Sequence, residues 1–180
     1  MTPTSPPLRP AVEQALSGPH AGAVMVLMNM MFVRHPLGVY SGFGGDLVAA
    51  IVLGEVAHHN LSAMMSGART PRELSEALHA AVGAPQPAML PTNVFSMAQS
   101  TRIPRETVRR KVESLTRRGW LVKDRAGNLF VTDVAGDAFA AFHVERMVDL
   151  LETARAIDTL LDDRPETTVP SRARRPPEST

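Results

Sequence analysis

The clearest pattern in the chain lies between Pro104 and Gly119, where Val108, Val112 and Leu115 recur at i, i+4 and i+7. That spacing predicts a helix with one apolar stripe. At about 100° per residue, Glu106, Arg110, Glu113 and Arg117 fall on the opposite face. Arg109 lies on one flank, with Thr107, Lys111, Ser114 and Arg118 on the other. Pro104 suits the first turn, where a missing N–H costs nothing, and Gly119 is a natural terminator. The stretch before it predicts a shorter helix, capped by Asn93 or Thr92, with Val94, Met97 and Ala98 facing inward. Ser100-Thr101-Arg102 carry the turn, and Ile103 plugs the angle between the helices. Beyond Gly119, Trp120-Leu121-Val122 and Leu129-Phe130-Val131 are strand-like and flank a polar turn with Lys123 and Arg125 near its tip. The order over residues 93–133 is that of a helix-turn-helix followed by a wing.

Upstream, residues 21–33 (AGAVMVLMNMMFV) are apolar nearly all round, which predicts a helix buried in a core or a subunit interface. Thirteen residues are too few to span a bilayer, so a membrane is not expected as a partner. Four methionines make a small-molecule effector pocket conceivable, although packing is their commoner use. Residues 36–45 (PLGVYSGFGG) read as a Gly-rich connector. Asp46 caps a following helix that carries Leu47, Val48, Ile51, Val52 and Val56 towards Asn60. Thr70-Pro71-Arg72-Glu73 is a capping box opening a helix with Leu74, Leu78 and Ala81, ended by Gly83. Residues 84–91 form a Pro-containing link. Downstream, Asp133 or Thr132 caps a long helix to about Leu161, with Phe139, Phe142, Met147, Leu150, Leu151, Ala154, Ile157 and Leu160 in helical period. Residues 1–18 and 164–180, rich in Pro, Ser, Thr and charge, read as disordered tails. Residues 19–163 then form a single domain, mainly α with a small β-wing. Its N- and C-terminal helices offer a dimer interface.

Charge sharpens this picture. From Thr101 to Arg125 there are nine Lys and Arg against three Asp and Glu, whereas the whole chain has 19 against 18. Positive charge gathered on one element is the footprint of phosphate binding. Arg can grip guanine bidentately, Glu can accept from a cytosine amino group, and Thr and Lys suit phosphate. The candidate DNA-binding residues are Arg102, Arg105, Glu106, Thr107, Arg109, Arg110, Lys111, Arg117, Lys123 and Arg125. No cysteine is present, which excludes disulfides and thiol catalysis and is compatible with a cytoplasmic location. The six histidines show no ligand spacing, and no nucleophile elbow or framed carboxylate pair occurs. The expectation is neither an enzyme nor a metal or cofactor protein.

The segment Arg105-Glu106-Thr107-Val108-Arg109-Arg110 resembles the recognition helix of the cyclic-AMP receptor protein and its FNR relatives. The resemblance implies that Arg105, Glu106 and Arg110 read base edges and that Thr107 touches the backbone. It covers about forty residues. Pro104 stands where that family usually has Ser, and no β-roll precedes the segment. Helices on both sides make the layout more similar to bacterial MarR-type regulators. The implied function is a sequence-specific transcription regulator, homodimeric, that inserts residues 104–118 into the major groove of double-stranded DNA. The alternative is a winged-helix module that binds a protein partner and has no affinity for DNA.

Overall fold

A computed structural model describes residues 8–81 and 89–162. The order is α1 (Leu8–Ser17), α2 (Ala21–Gly42), α3 (Leu47–Gly67), α4 (Pro71–Ala81), α5 (Val94–Thr101), α6 (Arg105–Arg117), β1 (Leu121–Lys123), β2 (Leu129–Val131) and α7 (Asp133–Asp162). The fold is thus mainly helical, with one two-stranded antiparallel sheet. The side chains of Leu78 and Ala81, Gly83, most of the 84–91 link and the outer tails (1–7 and 164–180) lie outside the described residues. Those residues fall into two compact units, 8–32 with 148–162 and 33–147, where the sequence predicts one domain.

The unit of residues 33–147 is organised on α3. Asp46 caps it as expected, Oδ1 accepting from Ala49 N at 3.0 Å. Its inward face is Ala49, Val52, Leu53, Val56 and Asn60, whereas Ile51 and Leu47 point outward. The predicted stripe was therefore rotated at those two positions, because an α3 rich in apolar residues all round gives little angular information. Val52 and Val56 pack in one core with Met97 of α5, Val108, Val112 and Leu115 of α6, and Leu121 and Leu129 of the sheet. Burying aliphatic side chains of this size contributes roughly 1.5–3 kcal/mol each.

Asn60, fully buried, fastens the core's far side. Its Nδ2 donates to Leu90 O (2.7 Å) and Leu129 O (3.1 Å), and its Oδ1 accepts from Val131 N at 2.9 Å. One side chain thereby ties α3 to β2 and to the approach to α5. An aromatic cluster closes the opposite side. Phe43 and Phe139 stack at 4.9 Å between centroids, and Trp120 meets both rings edge-on at 5.4 and 4.9 Å.

Residues 36–42 are helical, contrary to the connector reading. Here α2 continues through Pro36, and Gly38 and Gly42 lie where α7 needs room. A Cβ on Gly38 would come within 2.7 Å of Phe142 Cε2, and one on Gly42 within 3.5 Å of Phe139 Cε1. The glycines mark close helix packing, and only Gly44 and Gly45, at φ +61° and +88°, make a turn.

The unit of residues 8–32 and 148–162 is built differently. Part of the supposed N-terminal tail is α1, whose Leu8, Val12, Ala15 and Leu16 recur at helical spacing and whose Arg9 Nε bonds Glu13 at 2.9 Å. The proline content of the stretch obscures this short stripe. Among the described residues of this unit Val24 alone is buried. An apolar cavity of about 310 Å³ lies among its helices, lined by residues including Val12, Met28, Met31 and Ile157. Residues 21–33 are therefore not a core segment, since Met25, Val26, Met30, Phe32 and Val33 are all exposed. At 22 residues α2 is also long and apolar enough to cross a bilayer, as is α3. Residues 21–33 are thus only the first part of a longer apolar helix, and thirteen residues understate its span. For α3, its buried face accounts for the apolar content.

Candidate nucleic-acid interface

The basic stretch is delivered by two helices and a hairpin. Asn93 caps α5, its side chain accepting from Phe95 N and Ser96 N at 3.0 Å. The helix ends at Arg102 in the left-handed region, φ 58° and ψ 19°, a conformation that costs an L-residue roughly 1–2 kcal/mol. That reversal, with Thr101 Oγ1 accepting from Ile103 N, turns the chain into α6. Pro104 stands at the N-cap position of α6, one position earlier than its expected place in the first turn, and makes no side-chain cap bond there; its carbonyl accepts from Val108 N at 3.0 Å. Because Val108, Val112 and Leu115 are buried, Arg105, Glu106, Arg109, Arg110, Glu113 and Arg117 are held on the exposed face.

The end of α6 is fixed equally well. Gly119, at φ +73°, donates to Thr116 O at 2.9 Å, and Trp120 N reaches back to Leu115 O at 3.0 Å. This paired bonding is the Schellman stop, and it aims the chain into β1. The strands pair as Leu121 with Val131, Val122 with Phe130, and Lys123 with Leu129. Each strand side chain therefore sits one residue later than expected on the first strand, and Lys123 ends β1 where the tip was predicted. The turn proper is Asp124 to Asn128. Asp124 accepts from both Asn128 N and Asn128 Nδ2 at 2.8 Å, and Gly127 takes φ +90°. Arg125 is exposed within it. The Asn128 side-chain bond, then its backbone amide, hold the Asp124 carboxyl below its usual range.

Charges on α6 are not equivalent. Arg109 donates to Glu106 at 2.6 and 2.8 Å and pairs with Glu113, so its charge is fully taken up and the three exposed residues leave a net charge of −1 along one edge. The Arg109 bond holds the Glu106 carboxyl below its ordinary value. The bond to Glu106 and the charge of both glutamates also raise Arg109, keeping the guanidinium charged. Lys111, expected to meet phosphate, instead reaches Asp46 Oδ2 at 2.7 Å with only 27% of its side chain exposed. Partial burial opposes the Asp46 carboxylate, yet Lys111 and the Ala49 amide outweigh it and lower its pKa. Thr107 is half-buried on the flank.

Arg102, Arg105, Arg110, Arg117, Lys123 and Arg125 are exposed and make no ion pair with another described residue within 4.0 Å. They are the part of the expected set that is open to an anion. Two neighbours escaped the sequence reading. Phe95 is 54% exposed, and the Arg105 guanidinium lies 6.0 Å from its ring centroid. Arg118 lies 5.0 Å over Trp120. The Phe95–Arg105 spacing of ten residues across a turn carries no periodic signal, so only the folded reversal at Arg102 brings them together. No group of acidic and histidine side chains able to hold a metal occurs among the described residues. In comparisons with protein-family models, curated proteins and solved structures, nothing matches this chain.

Proposed function

We propose that residues 93–133 form a winged helix-turn-helix and that the protein is a sequence-specific DNA-binding transcription regulator. In this reading α6 enters the major groove, and the β1–β2 hairpin lies against the flanking backbone. The observation that carries it is the set of exposed, unpaired arginines at 105, 110 and 117 on a helix whose opposite face is fully buried. A rigid helix presenting unpaired guanidinium groups suits bidentate contacts to guanine and contacts to phosphate. Arg105, held beside Phe95, and Arg110 are assigned to base edges, while Arg102, Arg117, Lys123 and Arg125 are assigned to the backbone.

The ion pairs on α6 alter two assignments. Glu106 and Arg109 satisfy each other, so either must exchange its partner before it can read a base. Lys111 serves the fold through Asp46. The same edge, net negative with its one arginine engaged by two glutamates, favours the second reading, a module that docks on a protein. Binding to random and selected duplexes across a salt series separates the two. A regulator requires affinity that falls steeply with salt and a preferred sequence recovered from a random pool. Absence of DNA affinity at low salt would leave the protein-binding reading.

A further inference from the structure

Phe95 stands where packing gives an aromatic residue no purpose. Val94, Met97 and Ala98 turn α5 towards the core, and Phe95 lies on the other side with 54% of its surface exposed. Among the described residues it is the one large apolar side chain exposed on α5 or α6. Its ring meets no other aromatic ring among them, whereas Phe43, Phe139 and Trp120 pack together. Asn93 fixes its place, since the capping side chain accepts from Phe95 N itself. Phe95, Gln99 and Arg102 follow at i, i+4 and i+7 and are all exposed, so the ring shares a flank with the first of the basic residues.

The neighbour it does have is a cation. The Arg105 guanidinium, on the first residue of α6, lies 6.0 Å from the ring centroid, at the outer limit of cation–π attraction. Together they form a corner with one apolar wall and one fork of donors. In the major groove guanine offers N7 and O6 to such a fork, and thymine offers its 5-methyl group to an apolar contact. Stacked bases are about 3.4 Å apart, so a separation of 6.0 Å lets ring and guanidinium serve neighbouring base pairs. From this juxtaposition we infer that Phe95 is itself a reader, packing on the 5-methyl group of a pyrimidine beside the guanine that Arg105 holds. This role rests on the DNA-binding reading and names a base it selects. The fork chooses guanine, and the ring adds a demand for thymine or 5-methylcytosine next to it. Phosphate is the poorer target for the ring, because a phenyl group gives a phosphate oxygen neither charge nor a donor.

The test starts from the duplex recovered from a random pool and the guanine whose preference Arg105→Ala relaxes. Duplexes with thymine, uracil, cytosine or 5-methylcytosine on either side of that guanine are titrated with the full chain. At one of the two positions thymine should bind about three- to fivefold tighter than uracil, the worth of one buried methyl group. There 5-methylcytosine should exceed cytosine by the same factor, and the tighter of the two methylated duplexes names the source. Phe95→Ala should bring both ratios to about one, while Phe95→Leu should keep them at about twofold or more. Leucine is apolar but lacks the ring beside Arg105, so it separates contact with the methyl group from positioning of the guanidinium. The uracil comparison uses the unaltered protein and decides the matter even if a variant fails to fold. Equal binding of thymine and uracil duplexes, an undiminished ratio in Phe95→Ala, or a site in which Arg105→Ala relaxes no guanine would each overturn this role and leave DNA binding standing. No affinity for any duplex at low salt would overturn the DNA-binding reading, and this role with it.

Discussion

Lys111 Nζ lies 2.7 Å from Asp46 Oδ2, joining the flank of α6 to the cap of α3 across 65 positions of sequence. Asp46 thus serves two helices, one through each oxygen. Asp46→Ala removes the cap and the ion pair together and should cost about 1–2 kcal/mol, with Trp120 fluorescence in urea as the measure. The folded-state pKa of Asp46 is lowered, so its stabilisation is complete above the ordinary carboxyl value. It disappears as pH falls through the lowered one. Wild type should therefore lose stability on acidification below about pH 4 more steeply than Asp46→Asn, which keeps a cap but cannot titrate.

The same pair predicts a division between folding and binding. Lys111→Met should lower stability while leaving the salt dependence of DNA affinity unchanged, because its ammonium is already engaged. A reduction of the slope by about one counterion would return Lys111 to the phosphate contacts.

Asn60 gives the largest expected loss of stability. Asn60→Leu leaves the Leu90 and Leu129 carbonyls and the Val131 amide without the partners they have now. The expected cost is about 3 kcal/mol or more, read from the urea midpoint, because buried unpaired groups forfeit their hydration as well. A loss below about 1 kcal/mol would mean that the far side of the core re-forms around other partners.

On α6 the exposed arginines should separate into two kinds. Arg110→Ala should cost about 1–3 kcal/mol on a selected site and relax preference at one base pair. Arg117→Ala should weaken selected and random duplexes alike. Phe95→Ala tests how Arg105 is held. Without the ring beside its guanidinium, discrimination should fall while the salt slope persists, since the charge remains. Equal losses on both kinds of DNA for Arg110→Ala would remove it from base reading.

The central elements were legible because their signals agree. In α6 a three-residue stripe, a terminating glycine and a flanking turn all specify one helix, and burial of Val108, Val112 and Leu115 follows from it. Where signals conflict, the reading fails in a physical way. Pro36 and the glycines of residues 36–45 indicate a loop, but Gly38 and Gly42 are spacers against Phe142 and Phe139. Their purpose depends on α7, a hundred residues downstream. Residues 21–33 are apolar enough for a core, yet among the described residues only Val24 of the segment is buried. Composition could show that the surface was apolar and could not show what lies on it. Among the site residues, position on the helix was legible and partnership was not. The engagement of Lys111 by Asp46 and of Arg109 by Glu106 and Glu113 depends on side-chain reach, which spacing alone leaves open.

The hairpin should set affinity and leave sequence choice alone. Lys123 ends β1 opposite Leu129, and Arg125 projects from a turn whose shape is fixed by Asp124, Gly127 and Asn128. The turn's backbone is tied by the Asp124–Asn128 bonds, but both basic side chains are exposed and long. Such groups follow phosphate more readily than they hold a bidentate contact to a base. Asp124 lies between them, and its bonds to Asn128 keep its charge directed into the turn. Replacing Lys123 and Arg125 with alanine should lower affinity for all duplexes and flatten the salt dependence by up to about two counterions, one per lost contact. The sequence recovered from a random pool should stay the same. A different recovered sequence would make the hairpin a reader of bases and would transfer part of the specificity assigned to Arg105 and Arg110 onto it.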